Sequence, residues 1–512
     1  MKRVCINFAA FACLAGAAGS ACADVTISSD TTENISCTAG ICVPTAASAV
    51  LNVGDLENLL AAGNVEIATT GTGVQANNID VSANLAWTGA ATLTLDAYQS
   101  ITFESTVADT GTGGLALLTN DGGSGGALSF GPSGNVTFQN LTSPLLINGN
   151  AYTLVNSVAS LIQTGGSGFV ALAQSYDASQ DGTYASSPVE TLSGTFEGLG
   201  NTISNLSIDD ANAEYVGFFG SVAQGASARD IGLANVNIDS TNETNLGVGA
   251  LAGESAGQIF GAWSSGAVAS ARSTVGGLIG RTSAGTIANS YSGAAVTADV
   301  DGGGGLVGET VHTTLDNCYA TGEVENTLPS WVGGLLGSAS QSFIENSFAT
   351  GNAKGKSQEG EGSYVGGLIG ISLYRSKIEN SYATGNADAG SYSEVGGLIG
   401  DIAYGGKFTK SYANGAVSGG NGSSVGGLVG TIDQNKDVPS FQDIYWDTDT
   451  SGTDQGTGNV GTVNGMTGLT TAQFQAGLPN GFSARYWTEN GNGHEGSQIN
   501  GGFPYLIANP PQ

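Results

Sequence analysis

The chain has 512 residues, of which 83 are glycine and only 11% are charged, and its 43 acids against 13 bases give a formal charge of −30. Glycine at about twice its usual share and charge at less than half of it, with 40% hydrophobics recurring along the whole chain, exclude disorder; ten prolines exclude a collagen repeat. So few bases and a pI near 4.1 exclude a nucleic-acid binder, which leaves an all-β chain dense in tight turns.

The first residues read as a secretory signal peptide over 1–23. Lys2 and Arg3 form the basic start, an apolar stretch follows, and Ala21-Cys22-Ala23 gives the small-x-small cleavage pattern before Asp24. Removal leaves 11 bases against 43 acids, a charge of −32. No later stretch is long and apolar enough to span a bilayer, so no transmembrane segment is expected in the mature chain. Cys37 and Cys42 lie five residues apart in an exported chain and are expected to form a disulfide. Cys318 has no evident partner and takes a place where neighbouring repeats carry Ser, so it reads as a small buried residue.

Residues 51–200 alternate apolar and polar, as in Val65-Glu66-Ile67, Ile79-Asp80-Val81 and Leu93-Thr94-Leu95, between glycine-rich turns. This pattern predicts short strands. The exception is Leu56 to Gly63, which predicts a short helix ended by glycine.

From residue 216 onward an internal repeat takes over. Gly-Gly-aliphatic-aliphatic-Gly boxes end at Gly280, Gly308, Gly337, Gly370, Gly400 and Gly430, and degenerate copies end at Gly220 and Gly253. Successive boxes are 27 to 33 residues apart. A second box follows each, as in Ile287-Ala288-Asn289-Ser290-Tyr291 and Leu315-Asp316-Asn317-Cys318-Tyr319. Such a period predicts stacked coils, none of which closes a core alone. Glycines would serve corners and close backbone approach. Asn289, Asn317, Asn346 and Asn380 would form a side-chain ladder, and the aromatics would stack inside. A helical solenoid is disfavoured, because interior glycine costs about 1 kcal/mol in a helix. From the glycine after the aromatic to the next Gly-Gly, Gly351 to Gly366 is longer than the same segment in most repeats, and its extra residues, within 352–363, predict a protruding polar loop. Lys354, Lys356, Gln358, Glu359 and Glu361 are its candidate binding residues.

The boxes Gly-Gly-Leu-Ile-Gly and Asn-Cys-Tyr-Ala-Thr-Gly resemble the GLUG motif of bacterial surface proteins. Residues 194–206 look like the segment that introduces those repeats and 444–452 like the one that ends them. The stretch 55–68, with Leu85-Ala86-Trp87 and 93–97, resembles filamentous-haemagglutinin-like adhesins. The resemblance implies an all-β, right-handed parallel β-helix with N- and C-terminal caps, exported through the inner membrane to the outer-membrane surface or beyond, with the periplasm as the alternative. It divides the chain into an N-terminal cap segment (24–50), haemagglutinin-like coils (51–200), GLUG coils (201–440) and a closing segment (441–512).

Little points to chemistry. GLUG repeats also accompany immunoglobulin-A-cleaving metallopeptidases, but HExxH is absent and the only histidines are His312 and His494. A polysaccharide-cleaving β-helix is the rival, with Asp209-Asp210, Asp299 with Asp301, and Glu323 with Glu325 as candidate carboxylates; these do not share a repeat position. Asp447-x-Asp449-x-Ser451-Gly452-x-Asp454 spells the front half of a calcium loop, but position twelve is Gly458, not Glu. Lys354, Lys356, Arg375, Lys377, Lys407 and Lys410 would mark one side of the coils. The expectation is a non-enzymatic adhesin-like scaffold that needs no cofactor or metal and binds glycans or cell-surface proteins.

Overall fold

The computed structural model describes residues 24–241, 246–299, 301–433, 437–461, 463–489 and 499–511. The signal peptide expected over 1–23 and His494 lie outside them. The chain is nearly all β, with 6% helix, and winds into a parallel β-solenoid of about 14 turns. Its described residues divide into two compact units: one holds those up to Tyr176 with Gly194–Thr202 and Arg229–Gly232, and the other holds Asp177–Ser193, Ile203–Ala228 and those from Leu233 onward.

In the first unit, alternation along each strand sends every second side chain inward, and parallel pairing sets like on like. Val25, Ile79, Ile101 and Leu128 form one buried column. Ile67, Leu95, Leu117 and Ile147 form a second, and Leu85, Val107 and Val136 a third. Each side chain so buried contributes about 1.5–3 kcal/mol. The expected helix starts three residues early, at Val53–Ala62, because the Asn52 carboxamide oxygen caps it by accepting from the N–H groups of Gly54 and Asp55. It buries Leu56 and Leu60 and stops at Gly63. A second helix, Val158–Gln163, closes its first turn with a capping box between Ser157 and Ser160. The strands Ile35–Thr38 and Ile41–Pro44 form a hairpin with Cys37 opposite Cys42, and the two are disulfide-bonded.

Besides that antiparallel hairpin and the short antiparallel pair of Thr70–Gly71 with Val74–Gln75, one further strand pairing in this unit breaks the parallel rule. Leu145–Ile147 pairs antiparallel with Asn150–Val155 across Asn148 (φ 49°) and Gly149 (φ 79°). This is the two-residue turn that Asn-Gly favours. Parallel pairing then resumes, to Phe169–Leu172 and on to Thr195–Glu197.

In the second unit the repeat boxes are in register from coil to coil. Val332, Val365 and Val395 stack, as do Leu336, Ile369 and Ile399, and Ile344, Ile378 and Phe408; all are buried. The box glycines are needed for proximity, not for φ. None of Gly333, Gly334, Gly366 and Gly367 has a positive φ. A Cβ on Gly333 or Gly366 would overlap the carbonyl oxygen of Leu336 or Ile369, and one on Gly334 or Gly367 would overlap that of Gly367 or Gly397 on the next coil. Across this gap Gly334 N–H donates to Gly366 O at 3.2 Å, and Leu335 and Leu368 N–H donate to Leu368 and Leu398 O at 2.9 and 3.0 Å.

The left-handed corners fall to other residues. Asn289, Asn317, Asn346 and Asn380 have φ of 47–55°, a region asparagine tolerates. Their expected ladder forms at one step only: Asn317 Nδ2 donates to Asn289 Oδ1 (2.6 Å), whereas Asn346 turns to Asp316 and Asn380 accepts from Trp487 Nε1. The continuous ladder is made by the next residue. Backbone N–H groups of Cys318, Ser347 and Ser381 donate to the hydroxyls of Ser347, Ser381 and Ser411 at 3.1–3.3 Å, and each of those hydroxyls donates to the carbonyl two residues before it. Cys318 is buried within this column, where burial pushes its thiol well above the usual range.

The aromatics do stack: Trp263, Tyr291, Tyr319, Phe348, Tyr382 and Tyr412 follow one another at 4.6–5.8 Å, with planes within 6°. Their place is not the interior expected from the sequence. Tyr319, Phe348, Tyr382 and Tyr412 join a cluster with Phe474, Phe482, Trp487, Phe503 and Tyr505, and Tyr291 packs against it. The C-terminal segment thus lies along the column and fully buries Tyr382 and Tyr412. Tyr412 Oη donates to Pro504 O, and Asn500 Nδ2 donates to Tyr412 Oη.

Gly334→Ala is expected to destabilise the protein by more than about 2 kcal/mol, because backbone must move. Gly63→Ala should stay within about 0.5 kcal/mol, since a Cβ there meets nothing within 4 Å. Urea denaturation of both variants checks the contrast.

Candidate functional site

A recess that carries convergent side chains lies on the second unit, where the coil with the inserted hairpin meets its neighbours. It has a volume of about 410 Å³ and is lined by Trp331, Tyr364, Tyr392, Asp301, Glu361 and Glu394, with Pro329, Ser330, Gly362 and Ser363. Its floor follows from coil register: Trp331 pairs with Tyr364 and Tyr364 with Glu394 on adjacent strands. One residue earlier on each coil a serine ties the rungs together. Ser330 N–H donates to Ser363 Oγ at 3.2 Å, and Ser363 N–H donates to Ser393 Oγ at 3.0 Å. Trp331 and Tyr364 therefore stand on a fixed backbone, half-buried.

Tyr392 and a small hairpin frame the recess. Tyr392 is 59% exposed and sits at φ 60°. Gly362 packs so closely on the Tyr392 backbone that a Cβ would overlap its carbonyl. The long loop is shorter and more ordered than the sequence suggested. Ala353–Gly355 is a regular strand. Only the following residues project, closed by Gln358 and Glu361 exchanging backbone hydrogen bonds at 2.9 Å over Glu359 and Gly360, both left-handed. Burial raises Glu394 above the usual carboxylate range, and burial with the nearby Glu394 and Asp401 raises Tyr364.

Of the five loop residues singled out, only Glu361 lines the recess. Lys354 and Lys356 point to carboxylates of the preceding coil, Glu323 at 2.7 Å and Glu325 at 2.8 Å. This pairing also accounts for two of the candidate acids. Gln358 and Glu359 are exposed on the hairpin. Asp301 lines the recess, while Asp210 is buried and holds the N–H groups of Asn212 and Ala213. His312 is exposed at a corner.

The calcium-like spelling at 447–454 is a helix start. Asp447 Oδ1 accepts from Asp449 and Thr450 N–H, and Oδ2 accepts from Thr471 Oγ1 at 2.6 Å. Asp449 Oδ2 accepts from Thr471 N–H. Both Asp447 oxygens thus serve as acceptors that tie this helix start to the next one. Among the described residues no three His, Cys, Asp or Glu side chains are placed to hold a metal ion.

Two carboxylate groupings escaped sequence reasoning, since nothing but register or folding-back brings them together. Asp316, Glu345 and Glu379 stand on adjacent strands, and burial with its two neighbours pushes Glu345 up to about 7. In the first unit, Glu197 and Asp230 are buried side by side beside Arg229. Burial pushes Glu197 up to about 7 against the pull of Arg229 and of the Leu199 N–H; Asp230 is likewise raised well above the usual carboxylate range by burial and by Glu197.

The fold is thus that of a parallel β-solenoid, and residues 361–387 match the GLUG motif family model. A 138-residue stretch, 26% of the chain, is 32% identical to halomucin of Haloquadratum walsbyi, and the chain spans only 1% of that protein's length. A solved structure from Bacteroides ovatus, described as a candidate immunoglobulin A1 protease, is similar at a TM-score of 0.37 and 18% identity, over 70% of this chain and 93% of that one. At that TM-score the likeness says nothing of activity.

The raised carboxylates set a pH dependence. Glu197 and Glu345 near 7, and Asp80 and Asp96 near 6, hold their protons more tightly folded than unfolded. Their folding contribution is therefore complete below about pH 4 and is lost as pH rises through 6 to 7. Stability at pH 8 is expected to fall below that at pH 5, and Glu197→Gln, which fixes the neutral form, should shrink the difference by about 1–3 kcal/mol. Denaturant melts at both pH values check this.

Proposed function

We propose that this chain is an exported, surface-associated β-solenoid that acts by binding, and that the recess at Trp331, Tyr364 and Tyr392 holds a neutral polar glycan. The observation that carries the reading is the combination of aromatic faces with carboxylate acceptors on a rigid floor. Aromatic rings give apolar area to the C–H faces of a sugar while carboxylates and backbone groups take its hydroxyls. Glu394, Asp301 and Glu361 make the recess acidic, which disfavours an anionic occupant. The GLUG match and the likeness to halomucin support a place at the cell surface, as does the signal-like N-terminus. No helix of the described residues is long and apolar enough to cross a membrane. On this reading the chain is an adhesin of the filamentous-haemagglutinin-like kind, carrying its recess away from the cell to meet glycans or glycosylated surface proteins, without a cofactor.

Three carboxylates in one recess also favour the second reading, glycan cleavage, because paired acids are the machinery of glycoside hydrolysis. Glycan-array binding tests the first. Wild type should bind neutral glycans, and Trp331→Ala or Tyr392→Ala should weaken binding at least about tenfold, as removal of an aromatic anchor does. Binding unchanged in both variants, or none by wild type, contradicts it. Reducing-sugar release abolished by Glu394→Gln would replace it with the enzymatic reading.

A further inference from the structure

We infer that a second site, for an anionic glycan, lies at a different corner of the same coils, built by Lys377, Lys407 and Arg375. It is separate from the aromatic recess and of opposite charge.

The site begins with an insertion. Between Val311 and Thr314, and between Ser340 and Phe343, the corner is turned in three steps; between their register partners Leu373 and Lys377, and Ala403 and Lys407, it takes four. Ser376 keeps the place of Ser342 in its ladder, receiving the Ser342 N–H at 3.2 Å. The added residue is therefore Arg375 on one coil and Gly405 on the next. Both are left-handed, Arg375 at φ 66° and Gly405 at φ 74°. Glycine adopts that conformation freely; a β-carbon there costs energy. Tyr374, just before Arg375, is left-handed as well. Two successive strained residues at an exposed corner are a feature that packing does not require, since the shorter corners close without it.

The insertion changes what the corner presents. Lys377 and Lys407 are direct register partners on adjacent parallel strands, so two exposed ammonium-bearing side chains leave the sheet one strand spacing apart, about 4.8 Å. Like charges in that relation are destabilising. Elsewhere the chain avoids this: Lys354, Lys356, Lys410 and Arg281 each face a carboxylate on a neighbouring coil, whereas no ion pair among the described residues includes Lys377 or Lys407. Gly405 and Gly406 line an open notch of about 360 Å³ together with the two lysines, Arg375, Asp437 and Val438. Arg375 donates from Nε to Asp437 Oδ2 at 2.7 Å and keeps 74% of its side chain exposed. Next to the notch Tyr374 and Tyr404 stack at 4.6 Å.

Two adjacent lysines on the rim of a notch that Gly405 and Gly406 help to line suit one sulfate or carboxylate group, and the stacked tyrosines offer apolar edge to the sugar ring that bears it. A long polyanion such as nucleic acid is opposed by the net charge of −30. A group bound at the notch is shielded from distant acids, because charges more than about 8 Å away are screened at physiological salt.

The experiment is calorimetric titration of the full mature chain with a sulfated heparin-derived octasaccharide, a carboxylate-bearing oligogalacturonate and inorganic sulfate. Either glycan is expected to bind, and Lys377→Gln with Lys407→Gln should lower its affinity at least tenfold. Lys354→Gln with Lys356→Gln, and Trp331→Ala, should leave it unchanged, which separates this site from the neutral recess. Thermal melts of the Lys377/Lys407 variant should match or exceed wild type, because a like-charge contact is removed. Failure of both glycans to bind, equal binding by the variant, or free sulfate binding as tightly as the octasaccharide would overturn the assignment.

Discussion

The structure of the repeat unit depends on one constraint: successive coils approach so closely at the Gly-Gly-aliphatic-aliphatic-Gly boxes that no β-carbon fits between them. Gly334 and Gly367 each face the carbonyl of the next coil's box glycine. That proximity lets the N–H groups of Gly334 and Leu335 reach the carbonyls of Gly366 and Leu368. It also fixes the register of everything else. Once the boxes are aligned, the valines, leucines and isoleucines must stack in buried columns, and the serine hydroxyls at the corners must face the N–H groups of the preceding coil. The outward side chains are then aligned without further instruction, which is how Trp331 comes to stand over Tyr364 and Lys377 over Lys407.

Charge is handled by the same register. An acidic chain that stacks its coils in parallel brings carboxylates onto adjacent strands, as at Asp316, Glu345 and Glu379. Some are offset by cations one coil away, such as Lys410 on Glu379 at 3.2 Å; such exposed pairs are worth little individually but prevent like-charge ladders. Others have their carboxyl groups pushed up to about 7, Glu197 where it is buried and Glu345 where it is half-buried between two acids. The corners are the places where this regularity is relaxed: one carries aromatics among acids, another carries unpaired lysines.

The parallel coils were legible because repetition exposes periodicity and glycine boxes leave little room for another backbone. The helix near Leu56 was legible for the same local reason, although its first turn was missed because Asn52 was not read as a cap. Three features were less accessible. The antiparallel turn at Asn148-Gly149 carried a strong local signal, the Asn-Gly dipeptide, which the surrounding alternation masked. The aromatic column was expected inside; its stacking follows from the repeat, but its burial depends on Phe474, Trp487 and Phe503 returning from residues far along the chain. Of the candidate site, the hairpin carrying Glu361 could be located from the length of one repeat. Trp331, Tyr364 and Tyr392 belong to three coils and come together only after the serine ladder sets the spacing.

Amide hydrogen exchange across the boxes tests the close-approach account most directly. Leu335, Leu368 and Leu398 donate to the next coil at 2.9–3.0 Å. The account predicts that these three amides are among the slowest in the chain and exchange with one shared opening free energy, while Gly360 at the hairpin tip exchanges rapidly. Fast or mutually independent exchange at the three leucines would mean that the coils are not held by their glycine-spaced backbones.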